Sequence, residues 1–191
     1  MPSRFNPAIA RIIASYCPFF SAFRRELTLP RNNFGVISGR RARNNAARLA
    51  DAWLVAPTMS FERLNECMAM FREERRRAGL DDSVKCPIVR ECFIGRNGAH
   101  AREISRGPLL AKYSAYAAWG QEGAAAGDFE SAFDDYVASH FLVGDAVEVR
   151  DQLQQCAEQT GSDHFLMRMQ WPGLDQGEVL ANIERIGKLI S

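Results

Sequence analysis

The chain has little of what marks a specialised surface. Lys and Arg total 24 against 23 Asp and Glu, a net charge of +1. That balance excludes a surface built to coat nucleic acid or anionic membrane. There are only three histidines, His100, His140 and His164, and their spacing is not that of metal ligands. They give no general base and no metal site. The five cysteines, at 17, 67, 86, 92 and 156, are odd in number and lack any C-x-x-C pair. Neither a disulfide framework nor a structural zinc site is therefore expected, and reduced thiols in a cytoplasmic protein are the reading taken. Cys92 falls in an apolar run and reads as core packing. No hydrophobic run is long enough to span a bilayer, which takes about 20 apolar residues. The most apolar early stretch, Ile9–Phe23, is broken by Arg11 and Pro18. It also lacks the small-residue cleavage site of a signal peptide. No internal repeat or low-complexity tract stands out.

What remains is the composition of a globular domain. Hydrophobic residues make up 47% and charged residues 25% of 191 residues, enough to bury one real core. Residues 1–33 read as irregular. Ile9, Ile12, Ile13 and Tyr16 fit one helical stripe, which Pro18 and Pro30 break.

From residue 34 to 191 the pattern is regular and reads as one domain. Phe34–Ile37 is a short apolar strand, followed by the turn Ser38-Gly39-Arg40-Arg41 and a helix over Ala42–Ala50. Ala52–Ala56 is a second strand, closed by Pro57. Ser60 caps a long helix with a core face of Phe61, Leu64, Met68 and Phe71, and Gly79 stops it. Cys86–Ile94 is a third strand, in which Arg90 and Glu91 break the apolar alternation. Gly95–Gly98 turns into a helical stretch that runs to Trp119, interrupted near Gly107-Pro108. Gln121–Asp128 is a flexible loop and Phe129–Ala138 a short helix. Phe141–Gly144 is extended and leads into a helix over Ala146–Gln159. His164–Met169 is a last strand. Asp175 and Glu178 form a capping-box pattern for a final helix with Val179, Ile183, Ile186 and Ile190 buried. Strand and helix alternate throughout, the pattern of parallel strands joined by crossover helices.

Four segments carry a family resemblance in one order. The run Ala46-Ala47-Arg48-Leu49-Ala50-Asp51-Ala52-Trp53-Leu54 resembles the helix-to-strand signature of the luciferase-like flavin-dependent monooxygenases and oxidoreductases. Tyr113-Ser114-Ala115-Tyr116-Ala117-Ala118-Trp119-Gly120 resembles that family's "YxxYxxWG" segment. Phe141-Leu142-Val143-Gly144-Asp145 resembles its "FxVGxPEEV" segment. His164–Arg168 with Gln170-Trp171-Pro172-Gly173 resembles its closing strand and loop. All four belong to the family's second half, whereas residues 1–33 do not resemble its first half.

The resemblance implies a (β/α)8 TIM-type barrel, of which this chain supplies the second half. A full barrel takes about 250 residues. It also implies reduced flavin and oxygen acting on an organic substrate. FMN is the implied cofactor, with a deazaflavin used for hydride transfer as the alternative. The family places its flavin phosphate at a turn where this chain has Ser38, Gly39, Arg40 and Arg41. A strand-to-helix turn suits a phosphate, because the helix start offers free N–H groups and the positive dipole end. The arginines can pair with the dianion; the other reading is a solvated basic turn. Arg168 and Gln170 share one strand face. With Trp171, they form a loop on the substrate side, or else Trp171 packs as a structural corner. Half a barrel leaves strand edges exposed, so self-association or a separately encoded N-terminal half is expected. The expected isolated chain is a poor monooxygenase, or a non-catalytic interaction domain that keeps the half-barrel fold. The partners implied are flavin and a small organic molecule, with neither nucleic acid nor membrane among them.

Overall fold

Two prolines decide how the sheet begins. In the computed structural model, which describes residues 11–12, 40–119 and 131–190 and the side chains from residue 43 onward within these spans, Val55 makes a single parallel bridge to Ile88. Its N–H donates to Pro87 O at 2.9 Å, and its carbonyl accepts from Val89 N at 3.1 Å. The rung before would need an N–H on residue 87 and the rung after an N–H on residue 57. Both are prolines and have none. The strand expected over Ala52–Ala56 is thereby cut to one residue.

The elements, in chain order, are β1 (Arg11–Ile12), α1 (Arg40–Leu49), α2 (Phe61–Arg77), β2 (Ile88–Ile94), α3 (Gly98–Ala118), α4 (Phe133–His140), β3 (Leu142–Gly144), α5 (Ala146–Thr160), β4 (His164–Arg168) and α6 (Gln176–Ile190). The strands are ordered β1-β4-β2-β3, and every neighbouring pair is parallel. With helices between them this is a partial (β/α) barrel, as the alternation of the sequence implies. The expected strand at Phe34–Ile37, the turn residues Ser38 and Gly39 and the loop Gln121–Asp128 lie outside the described residues. Arg11 and Ile12 pair with His164 and Phe165. They are extended rather than part of the helical stripe, because the edge of β4 offers them hydrogen bonds.

Residues of β2 alternate between two cores. Ile88, Cys92 and Ile94 face a cluster made with α1, α2, α5 and α6, including Trp53, Leu64, Phe71, Leu153 and Ile186. Phe93 faces the other way, into a cluster with Leu109 and Tyr113 of α3, Phe133 of α4, and Trp171.

Local signals set most helix ends. The Ser60 hydroxyl accepts from Arg63 N at 3.2 Å to start α2, and Gly79, at φ +68°, follows its end. Asp145 and Glu148 make a reciprocal capping box at the start of α5. At α6, Asp175 caps Gly177 N at 2.8 Å and Glu178 N at 3.3 Å. The expected break at Gly107-Pro108 is absent, since α3 runs unbroken through Pro108. Ala101, Ser105, Leu109 and Tyr113 are buried at every fourth position on both sides of it. That continuous stripe outweighs the roughly 3 kcal/mol an interior proline costs.

The buried stripe of α6 is Val179, Asn182, Ile186 and Leu189 rather than the expected run, and Ile183 is exposed. The reason lies at the edge of β2. Its pairing with β4 ends at Glu91–Arg168, leaving the polar groups of residues 92–94 on that edge without a strand. The Asn182 carboxamide takes their place. It donates to Cys92 O at 2.9 Å and accepts from Ile94 N at 2.8 Å, while Arg185 donates to Ile94 O at 2.8 Å. No helix among the described residues is long and apolar enough to cross a membrane.

Candidate functional site

Register brings the first two site residues together. Glu91 on β2 and Arg168 at the C-terminal end of β4 are direct cross-strand partners, so their side chains leave the sheet on the same face. The Glu91 carboxylate is fully buried and receives four donors. Arg168 Nη2 donates to its Oε1. Lys112 Nζ lies 3.0 Å from Oε1, and Tyr113 OH donates to the same oxygen at 3.2 Å. Trp171 Nε1 donates to Oε2 at 2.5 Å. Lys112 and Tyr113 come from α3, whose buried stripe turns this part of the helix toward the sheet.

The cluster holds one carboxylate against two cations and so carries a net positive charge. Burial pushes the Lys112 ammonium below its ordinary range, against the pull of Glu91. Burial, joined by the negative charge of Glu91, pushes the Tyr113 phenol up, so it stays a donor. Burial also disfavours the Arg168 cation, but the adjacent Glu91 carboxylate wins and holds it above its usual range. The Arg168 guanidinium and the Lys112 ammonium each lie 6.0 Å from the Tyr116 ring centroid. A carboxylate saturated by four donors has no lone pair free to take a proton from a substrate. Glu91 is thus a positioning residue, which fixes Arg168 and Trp171 at the end of β4, the rim where barrel enzymes build their sites.

The three residues placed by sequence on the substrate side divide accordingly. Arg168 is partly exposed and tethered to Glu91. Gln170 is exposed. Trp171 is 1% exposed, packed on Phe93 at 6.2 Å between ring centroids. At the phosphate turn, Arg40 opens α1, with no acidic residue in its first turn; Ser38 and Gly39 lie outside the described residues. Sequence reading missed Glu91, Lys112 and Tyr113 as site members. The available signal was the Arg90-Glu91 pair inside an otherwise apolar strand, which an isolated solvated strand would not need.

The histidines are scattered. His140 stacks on Tyr136 at 3.7 Å, and burial pushes its imidazole down to about 4. His100 Nδ1 accepts from Arg96 N at 3.4 Å beside the start of α3. Cys92 is wholly buried, and desolvation pushes its thiol up.

Known proteins resemble this chain in family and fold. The family described as luciferase-like monooxygenase matches residues 21–164. A monooxygenase from Streptomyces bottropensis superposes with a TM-score of 0.62 at 18% identity, over 78% of this chain and 43% of that one. The oxygenating constituent of 3,6-diketocamphane monooxygenase from Pseudomonas putida, solved in complex with FMN, superposes at 0.58 and 18% identity, over 78% and 44%. The coenzyme F420 dependent tetrahydromethanopterin reductase from Methanopyrus kandleri superposes at 0.50 and 16% identity, over 80% and 49%. The chain spans less than half the length of each of these solved proteins. No curated protein matches it.

Proposed function

Since the chain belongs to the luciferase-like monooxygenase family, we propose that it serves a flavin-dependent oxidoreductase, a monooxygenase that uses reduced FMN and oxygen on a small organic substrate in the cytoplasm. The family match over residues 21–164 carries the reading. FMN is favoured over a deazaflavin because a similar solved monooxygenase holds FMN; the F420-dependent reductase keeps the deazaflavin as the second choice. The flavin, when bound, supplies the redox chemistry with oxygen.

The protein's own part is to bind, orient and exclude water. Ser38, Gly39, Arg40 and Arg41 form the phosphate end in this reading. Support comes from the start of α1 at Arg40 and the absence of an acidic residue in its first turn, which leaves the dipole's positive end uncompensated. At the other end, the net positive cluster around Glu91 suits an electron-rich ligand. Arg168 and Gln170 present polar groups on the rim, while Trp171 forms an apolar floor held by its bond to Glu91.

The test is a titration of the full chain with FMN, followed by flavin fluorescence. Saturable binding is expected. Arg40→Ala with Arg41→Ala should weaken it by a few kcal/mol, because charge-assisted hydrogen bonds contribute about 1.5–3 kcal/mol each. Unchanged affinity in the double variant would remove these arginines from the site. No flavin binding at all would remove the cofactor.

A further inference from the structure

The rim at the end of β4 leaves one charge open. Arg168 is partly exposed, and its only ion-pair partner among the described residues is the Glu91 carboxylate, reached through Nη2. Its Nε is buried without a partner. The remaining nitrogen, Nη1, is neither bonded within the described residues nor enclosed, so its two N–H groups face solvent. Lys112 likewise pairs with Glu91 alone, at 3.0 Å from Oε1 and 3.1 Å from Oε2. Two cations thus share one carboxylate, and no second acid among the described residues pairs with either. The open group is a flat guanidinium with unused donors, the geometry that takes a carboxylate. Glu91, buried and saturated, keeps that group aimed outward.

An aromatic wall stands beside the cations. The half-buried Tyr116 ring has its centroid 6.0 Å from both the Arg168 guanidinium and the Lys112 ammonium. Three residues on, Trp119 packs on Tyr116 at 5.9 Å between ring centroids, yet remains 71% exposed. An indole held against one ring and open to water elsewhere forgoes the burial that an apolar partner would give it. A bare inorganic anion would meet the charge and leave this wall unused. A neutral apolar molecule would cover the wall and leave the charge unmet. We propose that the substrate of this site is a small aryl carboxylate. Its carboxylate accepts from Arg168 Nη1, with Lys112 adding charge from behind, and its ring lies along Tyr116 and Trp119. This names the substrate class of the flavin-dependent reading above and rests on that reading.

The experiment titrates the full chain, without flavin and at constant ionic strength, and follows the ligand by saturation-transfer NMR. The probes are phenylacetate, its neutral isostere phenylacetamide, and acetate, which has the charge without the ring. Phenylacetate should bind saturably with Kd on the order of 1 mM, and each of the other two about tenfold or more weakly. Arg168→Gln should weaken phenylacetate about tenfold, the loss of a charge-assisted bond. Trp119→Ala, at an exposed position that the fold does not need, should weaken it about fivefold and leave acetate unchanged. The neutral isostere and the Trp119 variant decide alone if Arg168→Gln does not fold. Phenylacetate that binds no better than phenylacetamide, or equal affinity in either variant, would overturn the proposal. The separate FMN titration keeps the two readings apart. A chain that binds FMN but not phenylacetate overturns this inference and leaves the flavin reading standing. A chain that binds phenylacetate but no FMN upholds the carboxylate site and removes the redox role.

Discussion

Removing the Glu91 carboxylate is the most demanding perturbation this fold offers. In Glu91→Leu, Lys112 and Arg168, whose side chains are 12% and 27% exposed, stand side by side with no counter-charge. Stranding a buried charge by deleting its partner costs about 3–5 kcal/mol. Trp171 Nε1 and Tyr113 OH also lose this acceptor, at about 1–3 kcal/mol for the buried indole N–H left unpaired. Even without full additivity, the loss approaches the whole stability of a domain, about 5–15 kcal/mol. Glu91→Gln keeps the shape and one acceptor oxygen but not the charge, and should lose about 2–3 kcal/mol. Urea unfolding followed by tryptophan fluorescence measures both, with Trp171 reporting from inside the cluster. A further variant separates charge from cavity. Glu91→Leu combined with Lys112→Met and Arg168→Met removes the stranded cations and should recover most of the loss, because apolar replacement of a whole buried ion cluster is often neutral. A Glu91→Gln protein within about 0.5 kcal/mol of wild type, or a triple variant no better than Glu91→Leu, would refute the assignment of Glu91 as the hub.

Other expectations follow from single features. Asn182→Ala leaves Cys92 O and Ile94 N without partners and should cost about 2–6 kcal/mol in urea unfolding, two buried groups at about 1–3 each; a loss under about 1 kcal/mol would mean water replaces the carboxamide. Pro108→Ala restores an N–H in the middle of α3 and should raise the melting temperature, because proline is about 3 kcal/mol worse than alanine inside a helix; a lower melting temperature would show that the proline ring is needed in the packing. His140 sets a pH dependence. Burial holds its imidazole at about 4 in the folded chain against about 6.5 when unfolded. Above pH 6.5 it is neutral in both states and contributes nothing to pH dependence. As pH falls from 6.5 to about 4, the unfolded chain takes up a proton that the folded chain refuses, so stability drops. His140→Gln should flatten that part of the pH–stability curve, and an unchanged slope would exclude His140 as its source.

The elements were legible where a local rule acts alone. Ser60 announces α2, Gly79 closes it, and the apolar run around Phe93 reads as a strand. The readings failed where two distant segments had to agree. Whether Ala52–Ala56 could be a strand depended on the residue it would face, and that residue is Pro87, some thirty positions away by the numbering. Helical periodicity in α6 pointed to Ile183, but the edge of β2 required a carboxamide and selected Asn182. The site behaves in the same way. Trp171 and Arg168 were visible at the end of the last strand. The acid that holds them was visible only as an irregularity, because its function rests on the register that sets Glu91 against Arg168.

Arg90 and Glu91 make the same point from the two faces of one strand. Both are charged, fully buried and adjacent in sequence, and a strand sends them to opposite sides of the sheet. On one side α3 and the end of β4 bring four donors to the carboxylate, and the charge becomes a fixed part of the structure. On the other side α2 and α5 bring Phe61 and Cys156, and Nε and Nη2 of Arg90 stay without a hydrogen-bond partner. A strand under selection for stability alone would place apolar residues at both positions, since such replacement is often neutral or stabilising. The saturated member accounts for itself, because it orders the rim of the barrel. The unsaturated one is met only in part: its Nη1 donates to Val89 O at 3.1 Å and Ala56 O at 3.3 Å, and the Phe61 ring centroid lies 5.0 Å from its Cζ.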